Sequence, residues 1–306
     1  MKLKIKEGKH PFAQPDPFII EDNGNFFIFT TGEDGVHCYE ASEISGEYEY
    51  KGIVFKRNGY KEYWAPAVLK YKDNYFIYVS YMPEASDDVH NQVLVVASSS
   101  RITGPYVYLN DLCLPFSIDA HPIFNESGLY MFYSLNDYDD ENAGTRIVVD
   151  KMLSPTKLEG NPRVVVSPTI KEEIFMKDRF RKGQDWYTIE GACYFYESGI
   201  HYLLYSANCY GNEYYFVGYA ACESYEQDLT KIIFTKQPDE YSYCPLLSKN
   251  DFESGTGHNT VIKDNGKWYI VYHGRDLDDI NSSQENRTMR IAILDLEGLK
   301  LKVIRE

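Results

Sequence analysis

The sequence predicts an all-β chain folded as a five-bladed β-propeller, a single domain over residues 1–306. Three observations predict it. No segment sustains the 3.6-residue apolar period of a helix. One hairpin pattern, a short apolar strand, a polar Gly/Asn/Asp turn and an aromatic-rich strand, occurs five times in order. Aromatic side chains that suit strands are abundant, with 28 Tyr, 16 Phe and 3 Trp.

The first unit reads "DPFIIEDNGNFFIFTTG" from Asp16; it turns at "NG", and "VHCYEAS" supplies a third strand. The second, "APAVLKYKDNYFIYVSY" from Ala65, turns at "DN" and leads into "VLVVASSS". The third, "DAHPIFNESGLYMFYSL" from Asp119, turns at "SG" and is followed by "TRIVVDKM". The fourth runs from Glu190 as "EGACYFYESGIHYLLYSA", then "YYFVGYAAC", and the fifth from His258 as "HNTVIKDNGKWYIVYHG", then "TMRIAIL". Aromatic markers near the start of the second strands (Phe26, Tyr75, Tyr130, Tyr202 and Tyr269) are 49, 55, 72 and 67 residues apart. Units of about 60 residues with about four strands each describe propeller blades. A two-sheet sandwich does not require one hairpin repeated five times in register.

Counting back from those aromatics, Asp16, Trp64, Asp119, Glu190 and His258 lie 10, 11, 11, 12 and 11 residues earlier. The expectation is one structural position per blade, at the channel end of the innermost strand, so the five side chains share a pocket. Three carboxylates placed together repel one another, and burial penalises their charged forms, so at least one pKa must rise. Such a trio suits glycosidic bond cleavage, in which one protonated acid serves the leaving oxygen and an ionised one activates water. A third can hold the acid's pKa up, and an indole can stack on a sugar face. A divalent-metal site of Asp, Asp, Glu and His is the weaker alternative, because the spacing is not local.

Formal charge is 31 − 46 = −15 with no Lys/Arg-rich run, which argues against nucleic acid or anionic membrane as partner. The longest apolar runs, such as "YFIYVSYM", fall well short of a membrane span. The N-terminal "MKLKIKEGKHPFAQPDP" has no apolar leader segment, and the six cysteines show neither C-x-x-C nor zinc spacing. The expectation from these features is a cytoplasmic protein with reduced thiols.

With "PDP", "YWAP", "SIDAHPIF", "TIEGACYF" and "GTGHNTVIKDNGKWYIVYHGR" in this order, the chain resembles glycoside hydrolase family 43 from about residue 10 to 295. That family has a five-bladed propeller and an inverting mechanism, and includes arabinofuranosidases, arabinanases and β-xylosidases. The resemblance implies that Asp16 is the general base, Asp119 the pKa modulator that orients the acid, and Glu190 the general acid. It implies that Trp64 forms the pocket wall and that Arg287 binds the terminal sugar, with Arg290 and Arg275 competing for that role. No cofactor is implied as required, with a calcium or sodium ion near His258, held through water, as an option. No β-xylosidase-type C-terminal β-sandwich is expected after the fifth unit, which leans the expectation toward exo action on arabinofuranosyl, or else xylosyl, residues of oligosaccharides. An endo-arabinanase, another propeller glycosidase or phosphorylase, and a non-catalytic sugar-binding propeller stay open as alternatives. The long charged stretch "SPTIKEEIFMKDRFRKGQDWYTIEG" before Glu190 is expected to form a loop over the pocket.

Overall fold

Each of the five hairpins folds as the innermost pair of one blade in the computed structural model, which describes residues 1–277 and 284–305. The turns Asn23–Gly24 and Asn265–Gly266 hold both central residues at positive φ, the backbone twist that matches two-residue hairpins. Blade I comprises Phe18–Asp22, Asn25–Thr30, Val36–Ala41 and Glu47–Phe55. Blade II comprises Tyr60–Tyr71, Asn74–Pro83, Val93–Ser99 and Val107–Asp111. Blade V has the same four-strand order: Glu253–Asp264, Lys267–Asp276, Thr288–Glu297 and Lys300–Ile304. All neighbours within these blades are antiparallel.

Blades III and IV depart from the four-strand plan at their outer edges. Blade III has Ser117–Asn125, Gly128–Asp137 and Gly144–Ser154, but two short pieces, Lys157–Leu158 and Arg163–Val166, share the outer place. Pro155 and Pro162 flank the first piece and cannot donate to a ladder. Blade IV has Gln184–Glu197, Ile200–Ala207 and Phe216–Glu223, and its fourth strand, Thr235–Lys236, stops before Pro238. The charged stretch before Glu190 is not a loop: Ile174–Arg181 pairs antiparallel with the start of Gln184–Glu197 as a hairpin. A short parallel contact, Gly144 to Tyr187, joins blades III and IV at this point.

Five apolar clusters fill the five seams between neighbouring blades. The aromatic excess goes largely here: Tyr78, Tyr130, Tyr202 and Tyr272 are among the fully buried side chains. Truncating such a residue to Ala costs about 3–5 kcal/mol in a packed core. The ring closes between blades V and I. Leu3 donates its N–H to Met289 O (3.1 Å) and Ile291 to Met1 O (2.9 Å), while Lys4–Ile5 pairs parallel with Glu47–Phe55. Leu3, Ile19, Ile28, Val271 and Ile291 pack together across the same seam.

Candidate active site

In blades II to V the innermost strand carries a bulge near its channel end. A bulge inserts one residue, breaks the ladder locally and re-aims side chains. In the ladders of blades II to V, Trp64, Ile118, Glu190 and Gly257 face Ser80, Ser134, Ser206 and His273. The next residue in each blade, Ala65, Asp119, Gly191 and His258, has positive φ, as does Asp16 in blade I. The single register expected from the sequence is therefore two adjacent registers. Asp16, Asp119 and His258 occupy one, and Trp64 and Glu190 the one before it. The bulge brings both registers to the same cavity, of about 950 Å³, which Asp16, Trp64, Asp119, Glu190, His258 and Arg287 all line.

Side chains from one blade hold the bulge backbone of the next. Thr31 Oγ1 accepts from Ala65 N–H (2.8 Å) and donates to Asp16 Oδ2 (2.6 Å). Asp119 Oδ2 accepts from Gly191 N–H (2.9 Å), and Ser206 Oγ accepts from His258 N–H (2.7 Å). Gly191 adopts φ +62, and a Cβ there would press on the His258 ring at 3.2 Å. The backbone strain at Asp16, Asp119 and His258 is thus fixed by contacts between blades, as expected where strained residues serve a site.

Asp16 faces one guanidinium and two imidazoles. Its Oδ1 lies 3.1 Å from Arg287 Nη1, 3.1 Å from His273 Nδ1 and 3.6 Å from His258 Nδ1. Burial alone would raise its pKa, but Arg287, His258 and His273 together hold the carboxyl well below the usual range. Burial pushes His273 down to about 3 and also lowers His258, so both rings are neutral near pH 7.

Glu190 faces the opposite environment. Its Oε1 accepts a hydrogen bond from Tyr215 Oη at 2.8 Å, and Ile189 beside it is fully buried. Burial, aided by repulsion from Asp16, pushes it up to about 7, against the pull of Tyr215, Arg287 and Arg179. Asp119 is raised well above the usual range by burial, then by Glu190 and Asp16. Asp119 and Glu190 therefore disfavour each other's ionised form, and the pair retains a proton near neutrality.

Of the three candidate arginines, the structure brings only Arg287 to the cavity. Its Nε and Nη2 bind Glu285 (3.0 and 2.8 Å), its Nη1 binds Asp16, and its plane lies 4.8 Å from the Tyr210 ring. Arg290 pairs with Glu253 and Asp276, and Arg275 with Asn286 and Tyr210 O. Trp64 donates its indole N–H to Glu62 Oε2 at 2.9 Å.

Several lining residues carried no sequence signal. Tyr215 precedes a strand in "NEYYF" without any pattern, yet it is fully buried and stacks on His273 at 5.7 Å. Gly257, in the register of Glu190, makes room for it, since a Cβ there would meet the Tyr215 ring at 2.0 Å. Phe175, Met176 and Arg179 reach the cavity from the hairpin, whose Phe180 contacts His90 near blade II at 5.6 Å. Glu285 lies two residues before Arg287 in the same motif.

His258 was the expected neighbour of a calcium or sodium ion. Among the described residues no three His, Cys, Asp or Glu side chains are grouped to hold a metal, and Asp16 is already occupied by a guanidinium. The donor set does not fit direct ligation at His258.

The model of Glycosyl hydrolases family 43 matches residues 10–298. Among curated proteins, an extracellular exo-α-(1→5)-L-arabinofuranosidase of Streptomyces avermitilis is 23% identical over 238 residues, 73% of this chain and 45% of the relative. The chain thus spans about half the length of the curated relative it matches. Among solved structures, a thermostable family-43 glycoside hydrolase is 26% identical with a TM-score of 0.78, covering 96% of this chain and 93% of that one. An α-L-arabinofuranosidase from Lactobacillus brevis is 17% identical with a TM-score of 0.75, covering 94% and 93%. The expected cytoplasmic location is overturned by the curated relative, which is an extracellular protein. That expectation rested on the first residues and on six free thiols, and neither feature is specific to a compartment. The match over residues 10–298 places this chain in glycosyl hydrolases family 43.

Proposed function

We propose that the protein is an inverting, exo-acting hydrolase that releases α-L-arabinofuranosyl, or else β-D-xylosyl, residues from oligosaccharides. The observation that carries this reading is the charge division across one cavity, with Asp16 held ionised and Glu190 held protonated up to about pH 7. Asp16 takes a proton from a water molecule, which attacks the anomeric carbon on the face opposite the leaving oxygen. Glu190 gives its proton to that oxygen as the glycosidic bond breaks. Asp119 pins the Glu190–Gly191 peptide through the Gly191 N–H and, by its charge when ionised, keeps the acid's pKa up.

Arg287 binds hydroxyls of the terminal sugar while fixing Asp16, and Trp64 walls the pocket. His258 helps keep Asp16 ionised; an ion near it would be held through water, and no step runs through one. The arabinofuranosyl choice is supported by the curated relative's activity. A cavity of about 950 Å³ is at the upper end for small-molecule sites and has room for an oligosaccharide.

The test is a panel of aryl arabinofuranosides, xylosides and galactosides with wild type and Glu190→Gln, run with and without chelator. Proton NMR of the first-formed sugar reads its anomeric configuration. The expected result is arabinofuranoside hydrolysis with inversion, lost on unactivated substrates in Glu190→Gln. A retained anomer, or full activity of the variant on an unactivated substrate, would overturn the mechanism. Release of internal oligosaccharides from linear arabinan would replace exo with endo action.

A further inference from the structure

Arg287 spends all three guanidinium nitrogens on Glu285 and Asp16. The other arginine of the cavity is different. Arg179 projects from the hairpin strand Ile174–Arg181 and is half-buried. It lies against aromatic rings, 4.8 Å from Phe175, 5.0 Å from Phe180 and 5.5 Å from Trp186. Among the described residues it pairs with no carboxylate and donates no hydrogen bond.

A guanidinium stacked on ring faces keeps its N–H donors in plane and available. Partial burial also strips water from it, which lowers its pKa, and among the described residues no acceptor returns that cost. Such a group is prepared for a ligand.

Its position says which part of the ligand. Arg179 lines the cavity from the strand Ile174–Arg181, which pairs with the Gln184–Glu197 strand that carries Glu190, whereas Arg287 touches Asp16. The general acid stands on the leaving-group side of the scissile bond and the base on the opposite side. Arg179 therefore faces the leaving group.

We propose that Arg179 is a specificity determinant that selects leaving groups bearing a carboxylate, with uronic-acid-substituted sugars as the substrate class. A planar guanidinium matches a carboxylate with two parallel N–H···O bonds, which ammonium or amide groups do not reproduce. The inference rests on the proposed glycosidase reading, because Glu190 as acid defines the leaving-group side.

The experiment compares phenyl and 4-carboxyphenyl α-L-arabinofuranosides, which have leaving groups of similar acidity. For wild type, kcat/KM is expected to favour the carboxylated substrate by roughly tenfold, as a charge-assisted hydrogen bond provides. This preference should shrink as ionic strength rises. Arg179→Gln is expected to collapse the ratio to about one, and Arg179→Lys to retain part of it. Thermal unfolding of each variant checks folding.

Equal kcat/KM for both substrates in wild type overturns the proposal and leaves the glycosidase reading intact. An Arg179→Gln variant that loses rate equally on both, with the ratio kept, also overturns it and makes the residue a tether for the hairpin. If wild type cleaves neither arabinofuranoside, the substrate reading fails and the proposal falls with it.

Discussion

On the first-blade side of the cavity, a carboxylate meets a guanidinium and two imidazoles within 3.6 Å. On the fourth-blade side, a carboxylate meets a phenol, and the residue before it in the chain, Ile189, is fully buried. Glu190 sits on the bulge of its strand and Asp16 just before the corresponding strand of blade I, yet one is held ionised and the other protonated. The repeated scaffold supplies the position, and the neighbouring blade supplies the charge state. Blade V gives Asp16 its guanidinium and imidazole neighbours, while Tyr215, just before a strand of blade IV, donates a hydrogen bond to Glu190. Two titratable groups driven apart by their surroundings define an acid and a base.

The largest test removes each partner in turn. Asp16→Asn should lower kcat/KM by on the order of 10²–10⁴ on every substrate, because water activation does not depend on the leaving group. Glu190→Gln should cost a similar factor on oligosaccharides but progressively less as the aryl leaving group becomes more acidic. A Brønsted plot of kcat/KM against leaving-group pKa reads the difference; parallel plots for the two variants would erase the comparison.

The pH profile comes next. Activity needs Glu190 protonated, so kcat/KM should fall above about pH 7, and its acid limb should lie well below the usual carboxylate range because Asp16 is depressed. Tyr215 donates to Glu190 and favours its ionised form. Tyr215→Phe should therefore move the alkaline limb to higher pH, and a limb that stays in place would remove Tyr215 from the acid's control. Arg287→Gln removes the main cation beside Asp16 and should move the acid limb upward; because Arg287 also favours ionised Glu190, the alkaline limb should move up with it.

The smallest effect is on stability. Glu190 has its folded pKa raised from 4.5 to about 7, so over that interval the folded state binds more protons than the unfolded one. Stability then falls as pH rises from about 4.5 through 7, the reverse of Asp16, whose contribution is lost as pH falls through its depressed pKa. Glu190→Gln should raise Tm by about 2–4 °C at pH 8 and leave it unchanged near pH 4.5. A gain of equal size at both pH values would contradict the assignment.

The hairpins were legible because turn chemistry and aromatic strands recur locally, and each predicted third strand formed. The register was legible only to within one residue, since a bulge changes the count between a marker such as Tyr202 and its functional partner. Arg287 could not be separated from Arg275 and Arg290, which lie on adjacent strands of the same blade and differ only in their partners across the ring. The roles of Tyr215 and Arg179 were not legible. Tyr215 stands near the start of the predicted strand "YYFVGYAAC" with nothing to mark it as a cavity residue, and "KDRFRK" alternates too little apolar character to announce the strand that carries Arg179.

The seam between blades V and I has a temporal consequence. Every blade is built from local hairpins, but Asp16 meets Arg287 across 271 positions of chain and Ile291 meets Met1 across 290. Contacts of such separation form late, after loop entropy has been overcome. Asp16 therefore acquires its Arg287 counter-charge only when the last blade docks on the first, so the onset of activity during refolding is expected to report ring closure itself.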